Sequence, residues 1–259
     1  MRTRVLLLRG TGESQAHPER NLLWAVVRQL PESWSREEVT YPASISFANQ
    51  NRNLFGVSGD RSVLLGVEQL RATLRNAHPD DRFVVLGYSL GALVGTKFLE
   101  SLEPVLRSKV LAAGFVANPL RPKGLSAGRG DVGGFGLVDS VELPWLERRW
   151  ELARPDDVVT AARADSLFRP WAEEVLAFSV ADPAPAVQKF FWDTLLGKNQ
   201  LPVAALFDGR FEQAAKDARG YLSTAHTLGY GLRQWNYWGL QLSATDWLAK
   251  KLRQTLFAY

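Results

Sequence analysis

Between Phe83 and Phe98 the sequence changes period without a gap. Phe83, Val84, Val85 and Leu86 form an unbroken apolar run, Gly87-Tyr88-Ser89-Leu90-Gly91 follows, and Leu90, Leu93, Val94 and Phe98 then recur at helical spacing. The run reads as a buried strand and the recurrence as an amphipathic helix. A strand that turns into a helix through Gly-x-Ser-x-Gly needs a connection so tight that glycine must flank the serine, and the turn leaves the Ser89 hydroxyl at the end of a parallel sheet. The helix N-terminus beneath it favours developing negative charge. With 21 glycines in 259 residues the pentapeptide alone also arises by chance; the strand before it and the helix after it are what make it a nucleophile elbow.

The segments on either side fit the same architecture. Residues 4–8 read as a first strand that ends in the Gly-rich loop Arg9-Gly10-Thr11-Gly12-Glu13-Ser14. A helix is predicted over 18–30, a short strand over 38–41, a polar, Asn-rich loop up to Gly59, and a helix over 61–76 carrying Val63, Leu64, Val67, Leu70 and Leu74. Beyond the elbow helix, 109–117 reads as a strand, 121–136 as Gly-rich loop and 150–153 as a last strand. Alternating strands and helices imply an α/β fold with a doubly wound parallel sheet, and 259 residues at 46% hydrophobic content favour one domain with embellishments. Residues 166–222 carry no strand signal and are expected to form an inserted helical lid or linker, with helices over 171–178, 187–196 and 211–221. That divides the chain into a core over 1–165, the insertion over 166–222, and a return to the core over 223–259, where Thr245-Asp246 is expected to cap the final helix.

Composition excludes several classes of function. With no cysteine there is no disulfide, thiol chemistry or cysteine-bound metal, and His17, His78 and His226 are not at metal-ligand spacing, so no metal or other cofactor is expected. The net charge of +4 is carried by scattered arginines and not by a clustered patch, which argues against a nucleic-acid partner. No run reaches membrane-spanning length. The N-terminus reads as a strand and not as an export signal, so synthesis without a signal peptide is expected.

A serine on an elbow needs a base, and the base needs a carboxylate that holds its tautomer. In α/β hydrolases these follow in the chain order Ser, Asp or Glu, His, and His226 is the one histidine after Ser89. His78 precedes the Ser89 strand and so sits at its far end. His17 is on the correct rim but out of order. Asp156 and Asp157 follow the last strand, where the acid should emerge; only one can face an imidazole, and the other is expected to cap the helix at Val158. Asp165 is a weaker third candidate. The oxyanion hole is expected from the N–H of Leu90 and that of Thr11, although a Gly-rich βα loop could also cradle phosphate.

With those residues in view, the chain resembles the lysin B group of phage esterases, related to cutinases and to PE-PPE esterase domains. The resemblance is carried by Gly10-Thr11-Gly12, with Arg9 where a His is usual; by Tyr41-Pro42-Ala43; and by Gly87-Tyr88-Ser89-Leu90-Gly91, with Leu90 where Gln is common. Asn118-Pro119-Leu120-Arg121-Pro122-Lys123-Gly124 is its most specific block, and His226-Thr227-Leu228-Gly229-Tyr230 is a further one. It implies a cutinase-like α/β-hydrolase fold and a catalytic set of Ser89, Asp157 and His226, with Asp156 standing where the family has glycine. It also implies hydrolysis of the ester between mycolic acids and arabinogalactan by a monomer that does not insert stably into membranes, released to the cell envelope at the end of phage infection. Phe190, Phe191 and Trp192 are candidates for contact with the acyl chain. Two other classes fit the same residues: a general lipase or cutinase, and a catalytically silent binding module.

Overall fold

A computed structural model describes residues 1–45, 57–166, 168, 169, 172, 226 and 228–257. Strands β1 (Arg2–Leu8), β2 (Ser35–Glu38), β3 (Asp81–Tyr88), β4 (Val110–Val116) and β5 (Arg149–Leu152) form one parallel sheet in the order β2-β1-β3-β4-β5. Its central strands are apolar on both faces, as strands covered by helices on both sides must be. Leu6 and Leu8 of β1 and Phe83 and Val85 of β3 enter one core. There they meet Val67, Leu70 and Leu74 of helix α2 (Gly59–Arg75) and Val94 and Phe98 of helix α3 (Leu90–Glu100). Val5, Leu7, Val84 and Leu86 point the other way. They pack on Val26 and Val27 of α1 (Trp24–Val27) and on Leu248 and Leu252 of the C-terminal helix (Ala244–Phe257). The result is a three-layer α/β sandwich of the class read from the sequence.

Local details differ from the periodicity. The helix expected over 18–30 is a 3-10 turn (Pro18–Arg20) and the single turn α1, broken at Asn21. Asn21 adopts an extended backbone, accepts the Ser14 N–H and donates to the Ser14 carbonyl, so its short polar side chain competes with helix continuation. The second strand lies at 35–38 and not at 38–41, because pairing with β1 overrides the weak β-propensity of Ser-Arg-Glu-Glu. The C-terminal helix is capped by Ser243, whose Oγ accepts the Asp246 N–H, and not by Thr245-Asp246. A hairpin of β6 (Trp235–Tyr237) and β7 (Leu240–Leu242), unmarked in the sequence reading, precedes it. Two further short helices, α4 (Pro104–Arg107) and α5 (Val158–Ala161), and a 3-10 turn (Leu228–Gly231) complete the described elements; in chain order the C-terminal helix is then α6.

The crossing of β3 into α3 is as close as the glycines allow. A Cβ at Gly91 would lie 2.0 Å from the carbonyl oxygen of Leu8, and one at Gly87 would lie 2.6 Å from the Ala92 Cα. Both clashes are with backbone, which cannot rotate away. Gly91→Ala is therefore expected to lower the unfolding free energy by about 3 kcal/mol or more, beyond an ordinary overpacked site. Denaturant titration checks it; a loss under about 1 kcal/mol would mean that the β1 loop can yield.

Candidate active site

Parallel register brings the carboxyl ends of β1, β3, β4 and β5 to one edge, where the loops meet. Ser89 caps the end of β3 with φ of 51° and ψ of −116°, strained for any residue but glycine. Ala43 and Ala117, which follow β2 and β4 at this same edge, also hold positive φ, at 48° and 55°. Strain of this kind persists where the surroundings over-determine it, and it concentrates at functional sites.

The Ser89 Oγ lies 2.9 Å from Nε2 of His226. Nδ1 of the same imidazole is 3.2 and 3.1 Å from the two carboxylate oxygens of Asp157. A carboxylate only accepts, so Nδ1 carries the proton and Nε2 presents its lone pair to the hydroxyl. Tyr88 fixes the ring from beside it: its hydroxyl donates to the His226 carbonyl at 3.1 Å and its ring stacks on the imidazole at 5.9 Å between centroids. His17 and His78 do not take part. Each is exposed beside a neighbouring carboxylate, Glu19 and Asp80 respectively.

The two aspartates separate cleanly, although not as the sequence reading divided their roles. Asp157 is fully buried, and it both faces His226 and caps α5, accepting the Val159 N–H at 3.0 Å. Asp156 caps nothing: it turns outward to Arg154 at 2.6 Å. Burial alone would raise its carboxyl, but the hydrogen bonds and charge of Arg154 hold it below the ordinary aspartate range. Asp165 is in an exposed pair with Arg163.

Tyr230 is a site residue to which the sequence reading assigned no role. Its hydroxyl donates to Oδ2 of Asp157 at 2.7 Å, and burial, with the charge of Asp157, keeps that hydroxyl protonated well above the usual phenol range. Tyr230→Phe would leave the carboxylate with one donor fewer in a dry site. The expected result is a stability loss of about 1.5–3 kcal/mol and a fall in kcat on the order of tenfold with KM nearly unchanged, because the imidazole is less firmly held. Unchanged kcat in the Phe variant would reduce Tyr230 to a packing residue.

The loop after β1 lies against the elbow. A Cβ at Gly10 would strike the Tyr88 ring, and the Gly91 contact is with Leu8 and Arg9. Glu13 shapes this loop by accepting the N–H groups of Gly10 and Leu22, each at 2.7 Å; burial pushes its carboxyl up, and those two donors pull it down. Gly12 donates to the Ala43 carbonyl. Buried Arg9 donates to the Val39 and Tyr41 carbonyls, while the Tyr41 hydroxyl donates back to the Arg9 carbonyl. Among the described residues the N–H groups of Thr11 and Leu90 have no acceptor. Unspent donors on the elbow and on the β1 loop packed against it can receive an anionic oxygen.

Behind the site, the Asn118 amide joins Thr96 to buried Glu151, and the wholly buried Arg121 guanidinium donates to the carbonyls of Thr160, Leu125 and Gly134. This cation therefore ties the Gly-rich loop to the turn that Asp157 caps. Among the described residues no group of three or more His, Asp or Glu side chains is placed to hold a metal ion, and no helix is long and apolar enough to cross a membrane. Phe190, Phe191 and Trp192, with nearly all of 166–222, lie outside the described residues.

Residues 32–131 match the PE-PPE domain family. No curated protein sequence matches the chain. Among solved structures, lysin B from Mycobacteriophage D29 superposes with a TM-score of 0.62 at 20% identity, covering 98% of this chain and 100% of that one. A cutinase-like protein from Cryptococcus sp. gives 0.50 at 18% identity over 62% of this chain and 79% of that one. An acetylxylan esterase gives 0.51 at 19% over 68% and 95%. The fold is thus that of the cutinase-like α/β hydrolases, and the likeness to lysin B that the motifs suggested extends, in structure, along almost the whole chain.

Proposed function

We propose that this chain is a serine carboxylic-ester hydrolase. The observation that carries the reading is the continuous hydrogen-bonded line Ser89–His226–Asp157 on a strained elbow, against which the β1 loop packs, with the N–H groups of Leu90 and of Thr11 in that loop unspent. In the reaction, Nε2 of His226 takes the Ser89 proton as Oγ attacks the ester carbonyl, and Asp157 stabilises the imidazolium that forms. The carbonyl oxygen gains charge and is met by the two N–H groups and the α3 N-terminus. The imidazolium then protonates the departing alcohol. Water, deprotonated by the same nitrogen, cleaves the acyl-enzyme and restores Ser89.

For the substrate, the proposal is the ester that joins mycolic acids to arabinogalactan, cleaved at the envelope of a mycobacterial-type host by a monomer released on lysis. Support comes from the likeness to lysin B, which runs through the part of the chain that the Cryptococcus protein does not cover. The acyl chain is proposed to touch at least one of Phe190, Phe191 and Trp192. Trimming that residue to Ala should then cost about tenfold in kcat/KM on long-chain esters and little on a butyrate ester. The deciding experiment incubates the protein with purified mycolyl-arabinogalactan and, separately, with a p-nitrophenyl ester. Release of mycolate supports the full reading. Hydrolysis of the p-nitrophenyl ester alone makes the protein a general lipase or cutinase, and activity on neither makes it a silent binding module.

A further inference from the structure

The hairpin β6–β7 turns through two residues, since Tyr237 pairs with Leu240 and leaves Trp238 and Gly239 between the strands. Both have positive φ, 53° and 87°, which is the mirror-image turn that twisted hairpins prefer and that Asn-Gly fills best. Gly239 fits it, and its N–H is taken by the Asn236 side chain. Trp238 does not fit: an aromatic residue in the left-handed region is strained, and the residue is 83% exposed. The position thus carries backbone strain and an unburied indole while returning nothing to folding. A strained and exposed residue of this kind points to a role outside folding.

Its surroundings say which. Four of the seven large apolar side chains exposed among the described residues are Leu228, Leu232, Trp238 and Leu240. All lie within one segment that starts two residues after His226. The base of the hairpin is firmly seated: Trp235 is fully buried and stacked on Tyr230, and the Trp247 indole donates to the Asn236 carbonyl. Cations flank the apolar tip. Residues 228–257 contain Arg233, Lys250, Lys251 and Arg253 against the single acid Asp246, which is occupied by Gln29. Tyr237, Lys250, Arg253 and Gln254 line a groove of about 440 Å³ between hairpin and helix, with the Lys250 ammonium over the Tyr237 ring.

An exposed tryptophan and leucine at a hairpin tip, with lysine and arginine beside the same hairpin, are complementary to a surface with an apolar interior and anionic headgroups, where indole rings settle at the boundary and cations meet the charge. We infer that the tip Trp238–Leu240, with Lys250 and Arg253, docks the protein on an anionic lipid surface. The inference rests on the proposed esterase reading only in what it would achieve, namely holding the Ser89 mouth against an interface that contains its ester.

The test is co-sedimentation of the Ser89→Ala protein with vesicles of phosphatidylglycerol and with vesicles of phosphatidylcholine alone, so that binding is read without hydrolysis and whether or not Ser89 is catalytic. Binding to phosphatidylglycerol that weakens with salt is expected, with Trp238→Ala reducing it about tenfold or more and Lys250→Glu with Arg253→Glu removing its salt dependence. Trp238→Asn separates docking from folding, since asparagine suits the turn: it should raise the melting temperature while losing vesicle binding. Equal binding by Trp238→Asn and the parent, or no binding by the parent, would overturn the inference. So would a Trp238-dependent dimer in solution that leaves vesicle binding unaffected, which would assign the face to a second copy of the chain.

Discussion

Ser89→Ala is expected to lower ester hydrolysis by about 10⁴- to 10⁶-fold, and His226→Ala to lower it as far, while the double variant is scarcely worse than either. The reason is that Ser89 and His226 act on the same proton over 2.9 Å. Once either is gone, the other has no partner for that step. What remains is the rate supported by the two N–H groups and by binding alone. Ser89→Ala should not affect folding much, because Ser89 is only partly buried and its side chain does not cap α3. Turnover of a p-nitrophenyl ester by purified protein gives the numbers. Substantial activity in Ser89→Ala, or losses that multiply in the double variant, would sink the proposed chemistry.

Asp157→Asn should cost on the order of 10⁴-fold in kcat, by allowing the wrong histidine tautomer. It should also cost about 1–3 kcal/mol of stability, which the serine variant does not. The carboxylate receives donors from His226, Tyr230 and the Val159 N–H; an amide must turn a nitrogen toward at least one of them. Asp156→Asn should leave kcat nearly intact and cost under about 1 kcal/mol, because its pair with Arg154 is half open to solvent. The Asp156 carboxyl is held below its ordinary range, so that small contribution is fully present above the usual aspartate pKa and is lost as the pH falls from there through the carboxyl's own depressed pKa. Urea midpoints and kcat measured side by side decide the matter; the reverse ranking would move the acid role to Asp156.

How far the sequence could be read follows from where each signal resides. β1, β3 and β4 are legible because continuous apolar runs have few other uses, and the elbow because its glycines answer contacts of 2.0 and 2.6 Å that any Cβ would violate. β2 is less legible, since Ser35-Arg36-Glu37-Glu38 becomes a strand only through its partner. The 235–242 hairpin was hidden by Trp238, which stands where turn chemistry calls for asparagine. The two aspartates are chemically alike and adjacent, so residue type could not order them, and the motif likeness did so instead. The roles of Tyr88 and Tyr230 depend on partners 138 and 73 residues away, a separation that leaves no local pattern. A backbone N–H such as that of Thr11 has no side-chain signature at all.

Helix α5 spans only Val158–Ala161, too short to persist by its own hydrogen bonds. Its first turn is held at one end by Asp157 and at the other by the Arg121 donation to Thr160. Acid and cap being one side chain, heat can inactivate the protein by opening this single turn, at a free energy below that of melting the sheet. Thermal inactivation would then run ahead of the loss of ellipticity, and a sample that still gives a folded spectrum would overstate how many of its molecules can turn over.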